Sequence, residues 1–150
     1  ITDLKQYRMF REIFDDIIRG EAPGDIRVGI MLEVPSACLQ AEELLAEVDF
    51  ASIGSNDLIQ YLFAVDRNNE RVASDYHTHY PVFWKLLKNL ADTAHRLGKP
   101  LSLCGEAPSD PACARRLYEL GFEEVSVSPR MISLVRRAVG EILKTDGVNS

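Results

Sequence analysis

The sequence predicts an α/β fold built on a short parallel sheet, and three observations carry that expectation. Four short runs of mainly apolar residues alternate with segments of helical spacing; the runs are apolar nearly throughout; and polar residues gather at or just past their C-terminal ends. Strand–helix alternation implies parallel strands joined by helical crossovers, and continuous apolar runs imply a sheet covered on both faces. Four such strands fit a doubly wound open sheet or half of a (βα)8 barrel. The third observation favours the barrel, because barrels of this kind build their functional sites from the C-terminal ends of several strands.

Each element follows from local chemistry. A helix is expected over residues 3–19, where Leu4, Tyr7, Phe10, Ile13, Phe14, Ile17 and Ile18 recur at helical spacing. Gly and Pro between Gly20 and Asp25 end it. Residues 28–34 read as the first strand, and Pro35 opens a helix running to Val48, with Pro in its first turn. Residues 49–54 form the second strand, followed by a polar loop. A long helix fills 81–97, entered at Pro81 and left at Gly98. Residues 101–105 are the third strand, and Asp110 with Pro111 caps and starts a helix that ends at Gly121. Residues 125–128 are the fourth strand and 130–143 the final helix.

Composition narrows the function classes. With 150 residues, 46% hydrophobic and 27% charged, the chain has the balance of a globular domain able to bury a core. Its longest apolar stretches run about five or six residues, against roughly 18 for a membrane span. No basic region followed by an apolar run opens the chain, and no Met stands at position 1, which reads as a piece of a longer polypeptide. Cys38, Cys104 and Cys113 are odd in number and lack CxxC spacing, which argues against a disulfide framework or a zinc site and for a reducing cytoplasm. The net charge of −6, without clustered Lys or Arg, excludes a nucleic-acid groove and leaves room for a small anionic ligand.

The strand ends supply the chemistry. The first closes on Glu33, the second on Ser55, Asn56 and Asp57, the third on Cys104, Gly105 and Glu106, and the fourth on Ser128. Singly, each has an ordinary reading. Glu33 is a strand-end acid facing solvent or an Arg, Asp57 an Asx-turn residue, Arg67 a surface cation and Cys104 a small buried hydrophobe. Together they deliver acids, an amide, a thiol and a hydroxyl to one rim.

The segments GIMLEVPSA (29–37), SIGSNDLIQYLFAVDRNNERVA (52–73) and LCGEAPSDP (103–111) closely resemble three motifs of the phosphoenolpyruvate-utilising enzymes, in matching order and spacing. The resemblance covers about residues 25–140. It implies the C-terminal half of a TIM-type (βα)8 barrel spanning 1–150, without the upstream half-barrel and the phosphohistidine domain. The phosphoenolpyruvate–protein phosphotransferases (Enzyme I) are the nearest branch, and GIMLEVPS with VDRNNERVA look most like the nitrogen-related paralogue.

What the resemblance implies is specific. Glu33 and Asp57 match the carboxylates that bind magnesium, Asn56 the amide that contacts the substrate phosphate, and Arg67 the guanidinium that clamps it. Cys104 matches the thiol acid that protonates the enolate of pyruvate. A carboxylate beside a thiol disfavours its ionisation, so Glu106 is expected to keep Cys104 protonated. The implied activity is magnesium-dependent phosphoryl transfer from phosphoenolpyruvate to a protein histidine, with pyruvate released. The implied partners are a phosphocarrier protein, reached through the absent domains, and a second copy in a homodimer. None of His77, His79 and His95 matches the acceptor histidine of the family.

Two departures stand out. The family has Asp-Pro-x-His-Pro before the long helix, where this chain reads His77-Thr78-His79-Tyr80-Pro81. It also has x-Ala-Gly-Asp-Pro after Cys-Gly-Glu, where this chain has Ala107 to Pro111 with the Asp-Pro helix start kept. Three alternatives stay open: a pyruvate–phosphate dikinase or phosphoenolpyruvate synthase barrel, a non-catalytic dimerisation or regulatory half-barrel, and a metal-dependent aldolase or lyase barrel. By itself the 150-residue chain is expected to be inactive.

Overall fold

A computed structural model describes residues 1–19, 24–69, 71–72 and 77–147. Gly20 to Pro23 of the expected break, and Glu70 and Ala73 of the second motif, lie outside the described residues. Helix α1 (Leu4–Ile18) leads into β1 (Gly29–Leu32), α2 (Pro35–Leu39), α3 (Ala41–Glu47), β2 (Phe50–Gly54), α4 (Ser55–Phe63), α5 (Pro81–Leu97), β3 (Leu101–Cys104), α6 (Pro111–Glu119), β4 (Glu124–Ser126) and α7 (Ile132–Thr145). Short 3-10 turns at Ala107–Ser109 and Pro129–Met131 follow β3 and β4.

All four strands are parallel and lie side by side in chain order, β1-β2-β3-β4. An open doubly wound sheet reverses its winding at a switch point, whereas a barrel wall advances one strand at a time in a single direction. The order therefore decides between the two folds the sequence allows: the chain is half of a TIM-type (βα)8 barrel.

Side-chain alternation sorts the sheet into two faces. Leu32, Ile53, Leu103 and Val125 lie in register and point to the helices, the first three fully buried. Met31, Ser52, Ser102 and Glu124 form the neighbouring row on the other face, where Met31 and Glu124 are exposed. The core thus sits between sheet and helices. Helix α5 feeds it with Phe83, Trp84, Leu87, Leu90 and Ala94, one stripe at helical spacing. Tyr7 ties α1 to this layer by donating to Glu47 O at 3.0 Å.

Three elements differ from the sequence expectation. The helix expected from Pro35 to Val48 is two helices, because Gln40 leaves helical geometry (φ −107°, ψ 23°) and its Nε2 donates to Ser36 O at 3.0 Å, closing the first. The polar loop expected after β2 is helix α4; Leu58 and Ile59, both fully buried, show the apolar face that Ser-Asn-Asp obscured. The fourth strand ends at Ser126, so Ser128 falls beyond it at the entry to a 3-10 turn. No helix among the described residues is long and apolar enough to cross a membrane.

Candidate active site

The site is assembled at the C-terminal edge of the sheet. Gly54 pairs with Cys104 and Cys104 with Ser126, which makes these the last row on the open face. Glu33 follows Leu32, the partner of Ile53, and so comes next to Gly54. Its side chain lies across that glycine: a Cβ on Gly54 would stand 2.9 Å from Glu33 Cβ and 3.2 Å from its Oε2. Any larger residue at 54 would displace the Glu33 carboxylate. Glycine here is a matter of close approach rather than of backbone freedom.

Ser55, Asn56 and Asp57 form the first turn of α4, not a loop. Asp57 is thereby placed where the helix dipole favours a carboxylate. The two residues before it reach across to the turn after β3. Ser55 Oγ donates to Cys104 O at 2.7 Å, and Glu106 N–H donates to Asn56 Oδ1 at 2.8 Å. Between those bonds sits Gly105 at φ +106°, where a Cβ would collide with Ser55 Oγ and stand 2.7 Å from Asn56 Oδ1. Asn56, Cys104 and Glu106 are thus brought together although Asn56 and Glu106 lie 50 positions apart. With Oδ1 accepting from Glu106, the donor end of the Asn56 amide is directed the other way.

Cys104 is half-buried, and its Sγ donates to Ile53 O at 3.4 Å, an arrangement that needs the proton on sulfur. Glu106 also contributes through its backbone. Its side chain is exposed, and its main-chain N–H is what holds the site together.

Arg67 lies in the turn after α4. Ala64 closes that helix in the left-handed region (φ 54°), Val65 N–H returns to Gln60 O at 2.9 Å, and Asp66 Oδ1 accepts from Asn68 N–H at 2.9 Å. The fold carries Arg67 back toward the start of α4, where its Nη2 is 3.8 Å from Asp57 Oδ1. Arg71 is exposed.

The divergent loop before α5 is anchored. Trp84 Nε1 donates to Thr78 O at 2.7 Å, His77 stacks on Tyr80 at 3.8 Å, and Tyr80 stacks on Phe63 of α4 at 4.0 Å. His77 is therefore part of an aromatic stack rather than a solvated loop residue, while His79 is exposed. His95 sits far off on α5, its ring 3.2 Å from Gly121 O, beside a 320 Å³ cavity at the opposite end of the sheet. Cys38 and Cys113 are buried, as expected of packing residues. Burial pushes the Cys38 thiol up to about 12 and, as the largest influence, also raises that of Cys113.

Glu33 and Asp57 suit a hard cation. Glu33 offers its carboxylate just past β1 and Asp57 from the first turn of the helix after the adjacent strand, both are partly exposed, and Gly54 lets the Glu33 side chain lie across it. No group of three or more His, Cys, Asp or Glu side chains able to cage an ion occurs among the described residues. An ion held by two carboxylates would complete its shell with substrate oxygens and water, the habit of Mg2+. Gly54 is the site residue that residue-type reasoning passed over, and Ser55 and Gly105 were placed at the strand ends without a role. Their one signal was position, each next to an expected functional residue.

Residues 2–143 match the PEP-binding domain of the PEP-utilising enzymes. A phosphoenolpyruvate-protein phosphotransferase of Enterococcus faecalis is 41% identical over 142 residues, covering 91% of this chain and 25% of that protein. The phosphoenolpyruvate synthase of Pyrococcus furiosus is 43% identical over 118 residues, covering 78% of this chain and 14% of that protein. Among solved structures, a citrate lyase from Burkholderia xenovorans superimposes with a TM-score of 0.69 at 17% identity, over 92% of this chain and 46% of its own, which speaks to the fold alone. The chain spans a quarter or less of the length of these two curated relatives. It belongs to the PEP-utilising enzyme family, as its PEP-binding domain.

Proposed function

We propose that this chain is the phosphoenolpyruvate-binding half-barrel of a magnesium-dependent phosphoenolpyruvate–protein phosphotransferase of the Enzyme I type. The observation that carries the reading is the lattice joining Asn56 to the Cys104–Glu106 turn, with Asp57, and through it Arg67, one residue away. A phosphate ligand and a proton donor are thereby set at one edge of one sheet. Phosphotransferase and synthase relatives are similarly identical to the chain, and the VDRNNERVA segment tilts the reading to the phosphotransferase branch.

In this mechanism the donor end of the Asn56 amide and the Arg67 guanidinium bind the phosphate, the latter suited to two-point contact. Bound through Glu33 and Asp57, Mg2+ would neutralise charge on phosphoenolpyruvate and fix its orientation. Phosphoryl transfer to the acceptor histidine breaks the P–O bond and leaves its electron pair on the enolate of pyruvate. Cys104 then supplies its thiol proton to the methylene carbon. The carbon–carbon double bond provides the electron pair for the new C–H bond as the C–O bond becomes a carbonyl, and the thiolate recovers a proton from solvent. Protonation makes the sequence effectively one-way.

The whole protein works on this reading with a phosphocarrier partner and as a homodimer. The three free thiols of this chain suit a reducing, cytoplasmic setting. The test is pyruvate release by the intact protein with phosphoenolpyruvate and Mg2+. A requirement for a carrier protein supports this reading. A requirement for an adenine nucleotide supports the phosphoenolpyruvate synthase or dikinase branch, which the archaeal relative brings into view. Cys104→Ala with undiminished turnover but a changed oligomeric state would instead favour a dimerisation module.

A further inference from the structure

We infer that Ser55 is the positioning residue for the thiol of Cys104, acting through the main-chain carbonyl of Cys104; this rests on the reading of Cys104 as the proton donor. Ser55 is wholly buried, and it is the one buried polar residue among those described. A hydroxyl at a helix start ordinarily has the helix's own unpaired N–H groups within reach. Helix α4 has no side-chain cap, yet Ser55 Oγ does not serve it and donates across the sheet edge to Cys104 O at 2.7 Å.

The surroundings make that bond decisive for where the sulfur points. Cys104 is the last residue of β3, and beyond it Gly105 turns away at φ +106°. The ladder therefore guides the chain no further, and the two peptides on either side of Gly105 are each held by one bond from α4. Ser55 takes the carbonyl of Cys104 and Asn56 takes the N–H of Glu106. Only glycine leaves room for both side chains here, since a Cβ at position 105 would collide with Ser55 Oγ and stand 2.7 Å from Asn56 Oδ1. The thiol is itself oriented by Ile53 O at 3.4 Å, on the strand that runs into Ser55. A rotation of the Cys104 peptide swings its Cα–Cβ bond with it, so losing the Ser55 bond shifts the sulfur relative to the substrate held by Asn56. Misplacement of a reacting group by about 1 Å costs on the order of a hundredfold in rate.

The test uses the intact protein as purified, with Ser55→Ala, Ser55→Thr and Cys104→Ala, and phosphoenolpyruvate carrying deuterium and tritium at defined positions on its methylene carbon. Chiral-methyl analysis of the pyruvate then reports whether the proton came from one face. For Ser55→Ala we expect kcat to fall about ten- to hundredfold with KM for phosphoenolpyruvate within about twofold, and the stereochemical excess to drop. Ser55→Thr, which keeps the hydroxyl, restores most of both. Ser55→Ala with a lower Tm but unchanged kcat and unchanged excess would make the hydroxyl merely structural and overturn the inference. Cys104→Ala with turnover and excess intact would overturn the proton-donor reading itself, a result the serine variants cannot mimic. Should Ser55→Ala not fold, Gly105→Ala pushes on the same hydroxyl from the other side. Unchanged stereochemical excess in that variant would equally overturn the inference.

Discussion

Arg67 Nη2 stands 3.8 Å from Asp57 Oδ1, so the guanidinium proposed for the substrate phosphate is paired with the carboxylate proposed for the metal. Both side chains are partly exposed, which keeps the pair weak, at about 0–1 kcal/mol. A divalent cation at Asp57 and the guanidinium of Arg67 compete for the same oxygens. Mg2+ alone should therefore release Arg67 and raise its labelling by phenylglyoxal about two- to threefold. Peptide mass spectrometry reads the site. Asp57→Asn should label at the faster rate and ignore Mg2+; equal labelling of the wild type with and without Mg2+ would sink the exchange.

The three cysteines should separate by reactivity. Cys38 and Cys113 are buried and their thiols are pushed up by that burial, whereas Cys104 is half-buried at the sheet edge. Since the thiolate is the nucleophile, iodoacetamide at pH 8 should modify Cys104 first. Cys104→Ala in the intact protein should lower pyruvate formation about 10²- to 10⁴-fold with little change in KM, the range for a lost general acid. Turnover at the wild-type rate would remove the thiol from the mechanism.

Two glycines with positive φ make a controlled pair. Gly98 closes α5 at φ +63° with nothing near its missing side chain, so Gly98→Ala should cost only the left-handed penalty, about 1–2 kcal/mol. Gly105→Ala adds a collision with Ser55 Oγ and a 2.7 Å approach to Asn56 Oδ1. It should cost more, by about 1–3 kcal/mol in addition. Urea unfolding of both variants measures the difference, and equal losses would mean the turn yields without cost.

Stability at alkaline pH should depend on Cys38. Burial raises its thiol from about 9 to about 12, so the folded chain holds this proton more tightly than the unfolded chain does. The contribution is fully present below about pH 9 and is lost as pH rises toward 12. Unfolding free energies of the wild type and Cys38→Ala, measured at pH 8, 9.5 and 11, should converge as pH rises. Parallel curves would show that the thiol does not report on folding.

Half of the site was legible in residue types and half was not. Glu33, Asn56, Asp57, Arg67, Cys104 and Glu106 stand in motifs that match the family in order and spacing, so their identity needed no coordinates. The alternation of short apolar runs with helical stripes likewise indicated a parallel sheet. Local pattern misled where polar residues opened an element: Ser55-Asn56-Asp57 reads as a turn, and only the burial of Leu58 and Ile59 reveals the helix. Gln40 misled in the opposite sense, since nothing in its neighbours marks a break.

What the sequence by itself determined is the chemistry: which acids, amide, guanidinium and thiol are present, and that all of them except the Arg67 guanidinium lie at or just beyond a strand end. The tertiary structure alone decided the winding of the sheet and the contacts between strand ends. Strand order is a long-range property, invisible to any local window, and it separates half a barrel from a doubly wound sheet. The bonds from Ser55 to Cys104 and from Glu106 to Asn56 join residues 49 and 50 positions apart. They exist because a parallel register sets Gly54 beside Cys104, so that the turns leaving β2 and β3 emerge together.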